Sequence, residues 1–164
     1  MTRFARIRTP LGTVIAIAAG GALTGIHFEG GKHVPALSPE WREDPYHDPL
    51  QRCAEQLADY FAGKRQCFDL PLAPKGTDFQ QRVWGEIAKV RFGETITYSQ
   101  LAARAGAPGS ARAAGAATGR NPLSILVPCH RIVATDGSLT GYAGGLDRKE
   151  KLLALEGALE GVAA

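Results

Sequence analysis

Thr97-Tyr98-Ser99-Gln100-Leu101-Ala102-Ala103-Arg104-Ala105-Gly106-Ala107-Pro108-Gly109-Ser110-Ala111-Arg112-Ala113-Ala114-Gly115-Ala116-Ala117-Thr118-Gly119 reads as two short helices joined by a tight turn. Thr97 and Gln100 have the capping-box pattern, a hydroxyl at the N-cap and an amide at the third helical position. The helix they open runs from Leu101 to Ala105 and stops at Gly106. Pro108-Gly109 is a turn signal, and Ser110 is placed to cap a second helix from Ala111. Helix, short turn, helix is the outline of a helix-turn-helix. Almost every side chain of the second helix is tiny, and Arg112 is the one long side chain in its first turns. Two uses fit that pattern: a tight helix–helix contact, or close approach of the backbone to DNA.

Downstream lies Val127-Pro128-Cys129-His130-Arg131-Ile132-Val133. Apolar β-formers lead in from Leu123 and leave at Ile132-Val133. Pro128 fixes φ and removes a backbone donor, so neither a central strand nor a helix continues through it. A cysteine in a rigid turn beside two potential cations can be partly thiolate at neutral pH, and thiolate is the nucleophile. The alternative is a cysteine that simply fills core. Neighbours on an extended chain point to opposite sides, so coupling Cys129 to His130 needs a turn or a bridging water.

Further on, Gly141-Tyr142-Ala143-Gly144-Gly145 is too irregular for a phosphate loop, but it suits a pocket wall where a flat ligand passes close to backbone. Asp147 is placed to cap a last helix, with Glu150 at its third position. Leu152, Leu153 and Glu156 share a face there. An unpaired carboxylate is costly on an apolar stripe, so Glu156 either reaches solvent or takes a partner, with His130 a candidate.

Upstream, Thr77-Asp78-Phe79-Gln80 repeats the capping box, and Phe79, Val83, Trp84, Ile87 and Val90 follow on one helical face. Trp84 reads as core rather than as part of an aromatic box. Residues 3–28 read as antiparallel strands, with turns at Pro10-Leu11-Gly12 and Ala19-Gly20-Gly21. Residues 30–49 read as a loop. Leu50, Cys53, Leu57, Tyr60 and Phe61 recur at helical spacing, which places Cys53 in core. Phe68, Leu70 and Leu72 alternate like a further strand, with the Cys67 thiol pointing away from their face.

The expected architecture is an α/β N-terminal domain (1–74, a small antiparallel sheet with a helix) and a mostly α-helical C-terminal domain with a helix-turn-helix (75–164), joined near Pro74-Lys75-Gly76. With 164 residues, 45% hydrophobic and 21% charged, the chain has the composition of a soluble globular protein. No apolar run approaches a membrane span, and Met1-Thr2-Arg3-Phe4-Ala5-Arg6 lacks a signal-peptide core. The three cysteines have neither disulfide nor zinc spacing, which suggests a reducing compartment and no structural metal. Net charge is only +3, but from Gly76 to Arg131 seven Arg/Lys face three Asp/Glu. That central part suits a polyanion; the bland alternative is a solvated face.

Taken in order, the motifs resemble the O6-alkylguanine-DNA alkyltransferase family (methylated-DNA–protein-cysteine methyltransferases). They are Thr77-Asp78-Phe79-Gln80 with Val83-Trp84, Gly93-Glu94-Thr95 with Tyr98, Arg112-Ala113-Ala114-Gly115 with Gly119-Arg120-Asn121-Pro122, Pro128-Cys129-His130-Arg131, Tyr142-Ala143-Gly144-Gly145-Leu146, and Lys149-Glu150 with Leu153 and Glu156-Gly157. The resemblance is strong over 77–157 and weak before it.

It implies single-turnover transfer of an alkyl group from O6-alkylguanine in DNA, and potentially from O4-alkylthymine, to Cys129. His130 would take the thiol proton through a water, held by Glu156. Asn121 would be a hinge residue tying the helix-turn-helix to the active-site turn. Tyr98 would support nucleotide rotation and donate a proton to guanine. Arg112 would fill the gap left by a flipped nucleotide, with Ala111, Ala113, Gly115 and Thr135 along the DNA in the minor groove. Tyr142, Ala143, Gly144 and Val133 would line the substrate pocket. Many relatives carry serine at the position of Ala143, so a side-chain donor to the lesion oxygen is missing here. The resemblance further implies no cofactor, no metal, double-stranded DNA as partner, no membrane association, a monomer and a cytoplasmic setting. The competing readings are a lesion-binding protein that does no chemistry, a DNA-binding regulator, and a Cys-His hydrolase.

Overall fold

The computed structural model describes residues 1–159. The chain forms two compact units, one of Met1–Lys75 with Pro122–Leu126, the other of Gly76–Asn121 with the residues from Val127 onward.

The first unit is built on a sheet of four strands: β1 (Arg3–Thr9), β2 (Gly12–Ala19), β3 (Ala22–Phe28) and β4 (Arg42–Glu43), in the order β3-β2-β1-β4. The first three form an antiparallel meander, and β4 runs parallel to β1. Gly20 and Gly21 sit at φ 60° and 80°, the two consecutive left-handed residues that a tight hairpin turn requires. Helix α1 (Asp48–Phe61) packs on this sheet through Leu50, Cys53, Leu57 and Tyr60. Phe4, Ile15 and Ile17 cluster with Val34, Leu37 and Trp41, so the segment between β3 and β4 covers apolar sheet surface. Burial pushes the Cys53 thiol up to about 12, so it stays protonated and inert.

Two expectations for this unit need correction. The 30–49 segment contains β4 and the start of α1 rather than loop alone. The 67–72 segment is no strand: it makes one bridge, Leu23 to Leu72, with Leu23 N donating to Pro71 O and Ala73 N to Leu23 O, both at 2.8 Å. The Asp69 backbone is met instead by the Gln56 amide of α1 (3.0 and 2.9 Å), which takes the place of a neighbouring strand. The Leu123–Val127 run of β-formers likewise makes only one bridge, Ile26 to Leu123, before Ile125 turns to φ 71°. Its apolar residues serve full burial, Leu123 and Ile125 being 0% and 1% exposed.

The second unit opens with α2 (Asp78–Ile87), where Thr77 and Gln80 form the complete capping box. Strand β5 (Ile96–Thr97) leads into α3 (Tyr98–Arg104), whose capping box of Thr97 and Gln100 is also complete. Gly106 follows at φ 83°, and α4 (Ala111–Gly119) completes the helix-turn-helix. Ser110 occupies the N-cap position of α4 but its side chain makes no cap hydrogen bond. On α4, Ala114, Ala117 and Thr118 are buried, and Trp84 Nε1 donates to Ala117 O at 2.8 Å. Only a helix side this bare lets the indole reach a backbone carbonyl.

Strand β6 (Ile132–Val133) pairs in parallel with β5, and α5 (Leu146–Leu155) closes the described fold. The N-cap of α5 is Gly145, at φ 96°, and not Asp147. Asp147 lies inside the first turn, where its charge complements the helix dipole.

Two glycines on either side of the α2 start test this packing with opposite signs. A Cβ on Gly76 would stand 2.5 Å from Trp84 Cη2 and 2.7 Å from Gln80 Oε1, whereas one on exposed Gly85 meets nothing within 4 Å. Gly76→Ala should therefore destabilise by about 1–3 kcal/mol through overpacking. Gly85→Ala should stabilise by about 0.5–1 kcal/mol by removing helix-glycine entropy. Urea midpoints of the two variants check both signs.

Candidate active site

Every group described in this subsection belongs to the second unit. Pro128 (φ −79°, ψ 65°) stops the incoming chain, and Cys129–Arg131 form a single 3-10 turn. Cys129 N donates to Val127 O (2.7 Å) and Arg131 N to Pro128 O (2.9 Å). The turn leads directly into β6, whose pairing of Thr97 with Val133 brings the start of α3, and hence Tyr98, alongside. Tyr98 Oη donates to Thr140 O at 3.3 Å.

His130 is wholly buried, and its Nε2 donates to Glu156 Oε2 at 2.8 Å. Donation from Nε2 to a carboxylate assigns the tautomer and leaves the Nδ1 lone pair able to accept. Nδ1 has no hydrogen-bond partner among the described residues. Glu156 is the C-cap of α5 and 5% exposed. Its Oε1 accepts from Arg131 Nε (2.7 Å), and its Oε2 accepts from Arg131 Nη2 (2.9 Å) as well as from His130. The solvent-facing alternative for Glu156 is thereby removed.

Asn121 Nδ2 donates to Val127 O at 2.9 Å, and its side chain hydrogen-bonds the Cys129 thiol. One amide thus links the end of α4 to the turn that carries the thiol. Lys149, 0% exposed, spends its ammonium on three carbonyls: Ile132 O at 2.6 Å, Thr140 O at 2.8 Å and Gly141 O at 3.2 Å. Burial lowers its pKa to about 8, with the Cys129 charge opposing that shift. The three acceptors favour the ammonium form at neutral pH.

The resting charge state differs from the sequence expectation. Burial pushes the Cys129 thiol up, against the Asn121 hydrogen bond and the Lys149 charge. Burial also pushes His130 down, with Glu156 raising it and Arg131 and Lys149 lowering it. The pair therefore rests as thiol and neutral imidazole, not as partial thiolate. The Arg131 guanidinium, expected to favour thiolate, is turned to Glu156 instead.

Around this centre, Val133 and Gly144 are buried and Ala143 is half-buried. The Tyr142 ring stands edge-on to His130, centroids 6.4 Å apart. Arg112 and Ala113 are exposed on α4, while Ala111 and Gly115 are half-buried. A Cβ on Gly115 would lie 3.6 Å from Tyr98 Cδ1, so α4 and Tyr98 are near van der Waals contact. Thr135 is exposed, with its hydroxyl 3.2 Å from that of Ser99.

Two groups of the site were missed in the sequence: the Arg131 fork on Glu156, and Lys149. The second had a signal, because Lys149, Leu152, Leu153 and Glu156 fall at i, i+3, i+4 and i+7 of one helical stripe.

Comparison with known proteins bears on both units. The family description "6-O-methylguanine DNA methyltransferase, ribonuclease-like domain" matches residues 3–74, and "6-O-methylguanine DNA methyltransferase, DNA binding domain" matches residues 78–158. The methylated-DNA–protein-cysteine methyltransferase of Methanosarcina barkeri is 43% identical over 150 residues, covering 92% of this chain and 94% of the relative. That of Mycobacterium tuberculosis H37Rv is 42% identical over 156 residues, covering 95% and 93%. The crystal structure of Mycobacterium tuberculosis OGT in complex with DNA matches with a TM-score of 0.87 and 40% identity, over 99% of this chain and 96% of that one. With both family descriptions matched in order and relatives of this identity aligned nearly end to end, the chain belongs to the 6-O-methylguanine DNA methyltransferase family, the methylated-DNA–protein-cysteine methyltransferases.

Proposed function

We propose that this protein repairs alkylated DNA directly, moving the alkyl group from guanine O6, and potentially from thymine O4, onto Cys129. The carrying observation is the wholly buried His130, tied by Nε2 to Glu156 at 2.8 Å with Nδ1 left over. An imidazole held this way on one side has one task left for the other, to accept a proton.

The target carbon is inaccessible in a stacked duplex, so the nucleotide is extruded, at a cost of about a few kcal/mol. The exposed edge of α4, with Arg112 and Ala113 and the half-buried Ala111 and Gly115, lies in the minor groove. Arg112 fills the vacated stack, and Thr135 faces the DNA backbone. Small residues suit that role because a lesion can occur in any sequence, so close fit matters and base readout does not. The flipped base enters among Tyr142, Ala143, Gly144 and Val133. The Cys129 proton passes through a water to His130 Nδ1. The sulfur then forms a bond to the alkyl carbon as the carbon–O6 bond breaks. Tyr98 protonates the departing guanine, and the proton held on His130 restores the tyrosine. Asn121 and Lys149 stabilise the transient thiolate, consistent with their downward pull on Cys129.

The product is a thioether that none of these groups can cleave, so each molecule acts once. Displacement by a thiolate supplies nucleophile and leaving group without a metal or organic cofactor. A monomer belongs to the reading, because no step of the proposed relay calls on a second chain. A cytoplasmic, reducing setting belongs to the reading, because Cys129 must stay a thiol until a lesion arrives. Among the described residues no helix is long and apolar enough to cross a membrane.

Intact-protein mass spectrometry after incubation with a duplex carrying a single O6-methylguanine should show a gain of one methylene, mapped to Cys129 and absent in Cys129→Ala. Tight lesion binding with unchanged mass would instead make the chain a damage-recognition protein. The missing hydroxyl at Ala143 should matter for adduct choice: restoring it with Ala143→Ser should change the ratio of methyl to benzyl transfer rates. An identical ratio in wild type and variant would remove that role for the position.

A further inference from the structure

Arg131 is 6% exposed and the relay sketched above gives it no task, yet three of its guanidinium nitrogens are hydrogen-bonded. Nε and Nη2 form a two-pronged fork on the Glu156 carboxylate, at 2.7 and 2.9 Å. Nη1 donates to Val90 O at 2.7 Å, and the guanidinium carbon lies 5.9 Å from the Phe92 ring centroid. The fork has two physical consequences. It fixes the plane of the carboxylate, because a planar guanidinium meets a carboxylate in one orientation. It also places a permanent positive charge against the negative charge that His130 faces.

We propose that Arg131 is a positioning residue of the relay, holding Glu156 in register with His130 and offsetting its charge so that His130 rests as a neutral base. The proposal rests on the reading of His130 as the acceptor of the Cys129 proton. A buried carboxylate 2.8 Å from an imidazole, with no counter-charge, favours the imidazolium. An imidazolium cannot take the thiol proton, so a bare His–Glu pair would idle at neutral pH. With Arg131 in place the carboxylate is already neutralised, and a neutral imidazole completes an uncharged cluster.

The remaining groups facing His130 act in the same direction or are uncharged. The Lys149 ammonium, on the carbonyls of Ile132, Thr140 and Gly141, disfavours a second cation. Cys129 is a resting thiol, and Tyr142 offers a ring edge. Burial does most to push His130 below its ordinary value, Glu156 pulls it up, and the Arg131 and Lys149 charges add to the lowering. The proton moved is the one on Cys129 Sγ, delivered to His130 Nδ1, and no other bond changes in this step. Lysine cannot replace the fork: one ammonium can supply the charge but not two parallel bonds.

The test is the pH dependence of single-turnover methyl transfer from an O6-methylguanine duplex, in wild type, Arg131→Gln and Arg131→Lys, with the His130 ring titrated by NMR in each. In Arg131→Gln the acid limb of the rate should move up by about one pH unit, together with the His130 titration. That corresponds to about a tenfold slower reaction on the acid side, with the loss shrinking at alkaline pH. Arg131→Lys should leave the acid limb in place and slow transfer at every pH, because it keeps the charge and loses the alignment. An acid limb and His130 titration unmoved in Arg131→Gln would overturn the charge role. Wild-type rates in Arg131→Lys would overturn the alignment role. Should Arg131→Gln fail to fold, the lysine variant decides alone: a displaced acid limb there refutes the proposal, and a uniform slowing supports it. Failure of wild type to alkylate Cys129 at all would instead refute the underlying functional reading, a result distinguishable from any of these.

Discussion

The second unit depends on one buried carboxylate. Glu156 sits at the end of α5, shielded from water, and accepts three hydrogen bonds from two residues of the 3-10 turn. Taking an ion pair out of water costs several kcal/mol per ion, and well-packed apolar residues of similar volume often serve stability as well or better. Stability alone therefore does not explain the arrangement. What the charges supply and a leucine could not is direction. Glu156 fixes which nitrogen of His130 holds the proton, and Arg131 fixes how Glu156 is turned. The turn carrying Cys129 is thereby tied to α5 by side chains, and to the segment after α2 by Arg131 on Val90.

Burial also explains how a nucleophile meant to act once can wait. A standing thiolate is the form open to oxidation. In this chain Cys129 is 5% exposed and its pKa is pushed up, so it rests as the less reactive thiol. The proposed relay supplies the means of generating thiolate. In it the neutral imidazole receives the proton, while the Asn121 hydrogen bond and the Lys149 charge both pull the Cys129 pKa down. Each favours the anion, and desolvation outweighs them until a proton can leave. For a protein consumed by its own reaction, resting reactivity would only shorten its useful life.

What the sequence revealed and what it hid divide by the range of the interaction. Both capping boxes were legible because their partners lie three residues apart, within one turn of chain. The Gly20-Gly21 hairpin was legible for the same reason. The partnership of His130 with Glu156 could be suspected because a carboxylate on the stripe of Leu152 and Leu153 demanded a polar neighbour. Lys149 and Arg131 escaped because long cations normally reach solvent, and the acceptors that bury them are set by tertiary packing. The 67–72 segment misled because the alternation of Phe68, Leu70 and Leu72 imitates a strand, yet Leu72 is 39% exposed and only one bridge forms. The Leu123–Val127 run shows the related ambiguity, because burial and strand pairing both select apolar residues. Only the folded structure distinguishes a side chain that fills a core from one that pairs in a ladder. Ser110 and Asp147 misled more mildly, because good capping residues near a helix start need not cap it.

The small-residue helix reads as either a packing device or a docking edge, and its buried and exposed sides leave space for the proposed docking beside the packing. The side chains at Ala114, Ala117 and Thr118 are buried against the unit, and Ala117 offers its carbonyl to the Trp84 indole. Arg112, Ala113, Ala116, Gly119 and Arg120 remain exposed. A helix pressed closely on its own core needs small residues inside. A helix that must come close to a groove needs them outside as well. If α4 docks as proposed, meeting both demands leaves no room for a long apolar side chain on it, in keeping with its run of alanine and glycine. It also leaves the first turn a single long reach, Arg112, whose exposure makes it the one side chain there able to extend beyond the helix edge.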